Sequence, residues 1–187
     1  MPSISRCCGL LFAALLAGCA ANPLSPVPHN DAAFDLSGRI AVRYQERAFS
    51  SALRWKQNAA GDELWLNTPL GQTVAHLEDG RDGAVLTTAE QKQYRAQSIE
   101  ALTQSAFCWR FPLAGLRYWV LGQAAPGIGT SGVGRDVANR LIALTQADWQ
   151  VAIEYADTLA DRPSRLDINS GDARIRLVID SLERGMP

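Results

Sequence analysis

Along most of the chain, apolar and polar residues alternate one for one. In FDLSGRIAVRYQER, Leu36, Ile40, Val42 and Tyr44 alternate with Ser37, Arg39, Arg43 and Gln45, and Gly38 falls on the apolar side. A period of two is what a strand with one buried face requires. SSALRWKQ repeats it, setting Leu53 and Trp55 opposite Arg54 and Lys56. ELWLNT, QTVAHLED, GAVLTT and QKQYRA follow, separated by Gly, Asp and Asn. The first half therefore predicts a meander of about six antiparallel strands. In ELWLNT, Trp65 alternates with Leu64 and Leu66, so at least one of these apolar side chains must face away from the main core.

The period then changes. SIEALTQSAFCW opens on Ser98, a candidate cap, and carries Ile99, Leu102 and Phe107 at mostly helical spacing. LAGLRYWVLG, after Phe111-Pro112, predicts a second short helix ended by Gly122. A loop rich in Gly and Pro comes next. The strand pattern then returns in VANRLIALTQ, DWQVAIEY, SRLDINS and ARIRLVIDSL, the last two joined at Ser170-Gly171. The expected class is α+β: a long antiparallel sheet interrupted by two helices. Helices this short cover only part of such a sheet. If the sheet curves around them, an apolar space remains, the kind of place where small molecules and lipids bind.

The N-terminus has a different pattern. Arg6 precedes an apolar run from Cys7 to Leu16, half the roughly 20 residues a bilayer-spanning helix needs, so a secretory signal is predicted. It ends in Leu16-Ala17-Gly18-Cys19, which resembles the bacterial lipobox. The resemblance implies cleavage before Cys19 and a covalent N-acyl diacylglycerol on that residue, with no other cofactor. Several acyl chains anchor a protein stably where one does not. Enterobacterial lipoproteins retained in the inner membrane carry Asp after the Cys, so with Ala20 in that place the resemblance points to the outer membrane. Residues 1–18 are thus the expected signal peptide, 19–33 a lipidated Pro-rich tether (NPLSPVPHND), and 34–187 a single domain.

Of four cysteines, two leave with the signal and one is lipidated, so Cys108 stands alone and no intramolecular disulfide is possible. Its neighbours Phe107 and Trp109 predict a buried, inert thiol. Charge is balanced and scattered, with no basic cluster to bind nucleic acid. GIGTSG, Gly127 to Gly132, matches a dinucleotide-binding fingerprint by letter, but QAAP before it is no strand and a β pattern follows it. It reads as a flexible loop. The only histidines, His29 and His76, have no metal spacing, and no serine sits in a nucleophile elbow. No metal site, catalytic residue or enzymatic activity is expected. A lipid-tethered scaffold within an outer-membrane assembly complex is the main alternative role, and a surface-tethered hydrolase working through His76 is a weaker one.

Several stretches together resemble the LolB family of outer-membrane lipoprotein receptors. They are the lipobox, GRIAV, LRW, the hairpin NTPLG, FPLAGLRYWVLG, DWQVAIEY and the closing IRLVID, in the family's order. Leu182 departs from the family pattern, which often has Trp there. The resemblance implies an incomplete β-barrel: a curved antiparallel sheet with short helices covering its concave face and a hydrophobic cavity between. It implies a monomer on the periplasmic face of the outer membrane. Such a protein takes acylated lipoprotein cargo from a periplasmic carrier resembling LolA and passes it to outer-membrane lipids, without ATP or covalent chemistry. It also implies a transfer loop, here Pro69, Leu70 and Gly71, with Leu70 meeting the membrane. Trp55, Leu66, Trp119, Leu121 and Trp149 are the expected lining or support of the cavity.

Overall fold

The computed structural model describes residues 33–185. The expected signal peptide, Cys19 and all of the tether but Ala33 lie outside the described residues. The chain runs β1 (Phe34–Tyr44), β2 (Arg47–Asn58), β3 (Gly61–Asn67), β4 (Thr73–Gly80), β5 (Gly83–Thr88) and β6 (Gln93–Ala96). Helices α1 (Ile99–Phe107) and α2 (Leu113–Trp119) come next. The second half holds β7 (Thr130–Arg135), β8 (Leu141–Gln146), β9 (Trp149–Tyr155), β10 (Pro163–Ser170) and β11 (Ala173–Arg184).

All eleven strands form one antiparallel sheet in the order β6-β5-β4-β3-β2-β1-β11-β10-β9-β8-β7. Two meanders are therefore joined along a seam between the first strand and the last. The outer strands β6 and β7 do not pair, so the sheet is open. The register places five hairpin turns at one end: residues 44–47, 67–73, 88–93, 146–149 and 170–173. The chain enters at the opposite end, where Gly185 N–H donates to Ala33 O at 2.7 Å. The turns between β7 and β8 and between β9 and β10 lie at that same end.

The alternating positions of the sequence face the helices. Phe34, Leu36, Ile40, Leu53, Trp55, Leu64, Leu77 and Leu86 are buried from the first meander, and Leu144, Val151, Ile153, Leu166, Ile168, Ile175 and Leu177 from the second. Simple alternation fails in β11. Ser37 pairs with Ser181 and Gly38 with Ile179, so Asp180 is an extra residue in a bulge. The inward set shifts there from Ile175, Leu177 and Ile179 to Leu182. Gly38 faces the bulge because a Cβ at that position would lie 2.1 Å from Val178 O.

Ser98 caps α1, its Oγ accepting from Ala101 N–H at 3.2 Å. At the other end Cys108 takes a left-handed conformation (φ 62°) with its N–H on Gln104 O. This terminal position leaves the Cys108 residue exposed, contrary to the buried thiol that its neighbours predict. Helix α1 buries Ile99, Leu102 and Thr103, and it packs on β4, β5 and β6. Helix α2 buries Leu113, Leu116 and Trp119. Two polar ties hold α2 and the loop after it. Arg117 Nη2 reaches Asp62 Oδ2 at 2.5 Å and Asp79 Oδ2 at 2.9 Å. Gln146 Oε1 accepts from Trp119 Nε1 and Ala125 N–H, both at 2.8 Å, while its Nε2 donates to Ala125 O and Thr130 Oγ1.

The GIGTSG stretch corrects the loop reading in its second half. Thr130 begins edge strand β7, which pairs with β8 through two register shifts. Glycines and the absence of an alternating apolar face hid this strand, whose residues are almost all exposed.

Candidate functional site: an apolar cavity beneath helix α1

Between α1 and strands β1 to β5 lies a cavity of about 440 Å³, within the range of ordinary ligand pockets. Its floor is Ile40, Leu53, Leu64, Leu66, Leu77 and Leu86, successive inward positions of adjacent strands. Its roof is Leu102, Thr103 and Phe107 of α1 together with Trp109 and Phe111. Toward the end carrying five hairpins it is bordered by Val42, Tyr44, Arg47 and Phe49. Phe49 and Phe107 are both partly exposed at this border. Tyr44 and Trp109 stack there at 6.2 Å, and Trp109 meets Phe111 edge-on.

The wall offers almost nothing to a polar ligand. Thr103 is its one buried hydroxyl, and that group is already used: it donates to Ile99 O at 3.0 Å and accepts from Phe111 N–H at 2.9 Å. Arg47, the one charged residue in the lining, is exposed at the rim. A polar guest would lose its water contacts and gain no partner, at a cost of several kcal/mol on the order of 2–7. A hydrocarbon chain meets no such penalty.

The five expected lining residues divide. Leu66 is in the wall. Trp55 and Trp119 are fully buried elsewhere, each with its indole N–H bonded: Trp55 to Asp62 Oδ1 at 2.7 Å, Trp119 to Gln146 Oε1. Leu121 is buried in the core, and Trp149 is half-buried against it at the β8–β9 hairpin. The indole N–H groups of Trp55 and Trp119 demand polar partners that a dry cavity lacks. The floor consists of plain aliphatic residues, Ile40 and five leucines, on the alternating face that the strand pattern marks.

The β3–β4 hairpin holds Pro69, Leu70 and Gly71 at the same end as the cavity border. Gly71 N–H donates to Thr68 O at 2.9 Å, and Thr68 N–H to Gln72 O at 2.8 Å. Gly71 has φ 83°, a conformation that a residue with a side chain adopts only with strain. The turn is thus fixed by its own bonds, and Leu70 at its tip is 90 % exposed. Trp65, on the outer face, stacks on His76 at 5.1 Å.

His76 Nε2 lies 3.0 Å from Glu63 Oε1, and with Glu78 these side chains bring three potential metal ligands within 4.8 Å of one another. They sit on the outer face of the sheet, away from the cavity. Burial pushes the Asp79 carboxyl up despite its pairing with Arg117, with Glu100 and Asp62 adding to the rise.

Among known proteins, the family described as "Outer membrane lipoprotein LolB" has a model that matches residues 32–181. An outer-membrane lipoprotein LolB of Azoarcus sp. (strain BH72) is 36% identical over 180 residues, covering 91% of this chain and 90% of its own. One from Chromobacterium violaceum is 34% identical over 185 residues, covering 95% and 98%. A crystal structure of a Vibrio parahaemolyticus domain, described as an outer membrane lipoprotein-sorting protein, shares the fold at a TM-score of 0.51 and 12% identity, over 83% of this chain and 87% of its own. A match over residues 32–181, spanning both meanders and both helices, shows that the chain belongs to the LolB family of outer-membrane lipoproteins.

Proposed function

We propose that this protein is an outer-membrane receptor that takes acylated lipoproteins from a periplasmic carrier and releases them into the membrane, with no covalent step. The carrying observation is the cavity wall, which is apolar and whose single buried hydroxyl is internally bonded. Its volume of about 440 Å³ lies toward the smaller end of ordinary ligand pockets. That suits one long acyl chain at a time, leaving other chains of a triacylated cargo at the aromatic border. Cargo moves downhill if each site holds the chains more favourably than the last, and each 1.4 kcal/mol gives about a tenfold bias.

Cys19 carries the anchor in this reading, and Leu70 acts at release. Its exposure on a bonded turn lets it enter the bilayer surface without rearrangement, a gain of about 1.5–3 kcal/mol when fully buried. The test mixes the protein with a carrier loaded with triacylated lipoprotein and follows cargo onto it, then into vesicles. Ala75→Asp, in the cavity wall, should abolish uptake. Leu70→Glu should take cargo normally and release it roughly tenfold or more slowly, the equivalent of the lost leucine contact. Normal uptake by Ala75→Asp would sink the cavity reading, and normal release by Leu70→Glu the role of the tip.

A further inference from the structure

Two more apolar side chains stand at turn tips, at the end of the sheet opposite Leu70. Val137 is fully exposed and Leu159 is 93 % exposed. Val137 lies between β7 and β8, Leu159 between β9 and β10. Each turn is built on an aspartate. Asp136 Oδ1 accepts from the N–H groups of Ala138 and Arg140 at 3.0 and 2.9 Å. Asp157 Oδ1 accepts from those of Leu159 and Ala160 at 2.7 and 2.8 Å.

Arg140 fastens one turn to the other. Its guanidinium meets Asp136 Oδ2 through Nε at 2.7 Å and donates from Nη1 to Asp157 O at 2.9 Å and Ala160 O at 2.6 Å. It also lies over the Tyr155 ring, 4.3 Å from its centre. Both carboxylates are thereby engaged with the chain. The exposed Asp161 beside them lies 3.6 Å from Arg162 Nε. Among the exposed Asn139, Thr158 and Arg162, the pair of turns presents two apolar side chains on fixed turns, not a groove.

The chain itself says what faces them. Ala33 is bonded to Gly185 at this same end, so the segment leading to Cys19 departs from here. Thirteen residues separate Cys19 from Ala33, so the two are joined by a chain that spans at most about 50 Å. We infer that Val137 and Leu159 form a second membrane contact, seated on the bilayer to which the N-terminus is tethered and distinct from the release contact at Leu70. The inference rests on Cys19 as the anchoring point. Convex tips on fixed turns suit a bilayer surface, where an apolar side chain enters without a matching pocket.

The test uses residues 20–187 carrying an N-terminal hexahistidine, held on nickel-chelating vesicles of phosphatidylethanolamine and phosphatidylglycerol, with Cys108→Ser. A fluorophore is placed at Val137→Cys, and at Ala152→Cys on the exposed mid-face as control, and quenching by spin-labelled lipid is measured. The label at 137 should be quenched at least twofold more than the label at 152. Adding Leu159→Glu should weaken the contact about tenfold, the equivalent of one leucine. Equal quenching at the two positions, or quenching at 137 indifferent to Leu159→Glu, overturns the inference. Protection of the 137 label by a soluble carrier protein in place of vesicles also overturns it. Because the histidine tag supplies the tether, quenching reads this contact separately from the anchor, and a full chain found by mass to lack acylation at Cys19 would remove the anchor and overturn the seating inferred from it.

Discussion

Thr103→Val separates what the cavity wall does for the fold from what it does for a ligand. The Thr103 residue is buried, and its hydroxyl joins α1 to the segment that closes the roof, accepting from Phe111 N–H while donating back to Ile99 O. Valine keeps the shape and removes the acceptor. The Phe111 N–H is then left buried and unpaired, a cost of about 1–3 kcal/mol. For a domain of this size each kcal/mol lowers Tm by roughly 2–4 °C. Binding should behave differently. If the hydroxyl is consumed within the helix and unavailable to a guest, removing it changes affinity for an acyl chain by less than about threefold, below 1 kcal/mol. Denaturant unfolding measures the first effect, and displacement of a fluorescent fatty acid from the anchor-free protein the second. The reasoning fails if Thr103→Val leaves stability unchanged while fatty-acid affinity rises tenfold or more. The hydroxyl would then face the guest and not the Phe111 amide.

Gln146→Leu should destabilise by about 2–4 kcal/mol, since it strands the Trp119 indole N–H and the Ala125 N–H and C=O together; chemical denaturation reads this, and a loss under 1 kcal/mol would show that water replaces the amide. Asp79→Asn tests the burial of that carboxylate through its pH dependence. The folded pKa is raised above the unfolded value, so the folded protein holds its proton to higher pH and this group's contribution is largest in acid. The stability of wild type relative to Asp79→Asn should therefore fall as pH rises from the ordinary carboxylate range, and then level off. Paired thermal melts between about pH 3.5 and 7 check this, and a difference that grows with rising pH would contradict it.

Most of the sheet was legible because a strand with one buried face announces itself by parity. Leu36, Ile40, Leu53 and Leu64 needed nothing more. Trp65 fits the same logic: between two inward leucines it had to point outward, and there it stacks on His76. Parity also marks its own limits. The bulge at Asp180 depends on pairing with a strand about 140 residues away, and no local pattern encodes it. Edge strand β7 has no buried face to alternate, so its glycines read as a loop. The apolar neighbours of Cys108 predict burial, whereas the left-handed end of α1 governs its exposure. In the site, Leu70 was legible through the NTPLG hairpin that resembles the family's. Val137 opens VANRLIALTQ, whose pattern predicts a strand from its first residue, but β8 begins only at Leu141 and Val137 lies in the turn before it; only the bonds of Arg140 show that this turn and that of Leu159 are one unit.

The seam between β1 and β11 bears on how the chain can be made. Pairing of Phe34 with Arg184 gives the central strands the greatest sequence separation in the fold, the kind of contact that forms late and slowly. A chain delivered from its N-terminus therefore presents β1 with one side unpaired until β11 arrives. Each meander can assemble from local hairpins, but neither completes the sheet alone. Export in an extended form is then favoured by topology itself, since the tertiary structure that would resist threading waits on the C-terminal strand. The same delay leaves a long strand edge open to other chains, which makes the interval before β11 docks the period of greatest exposure to aggregation.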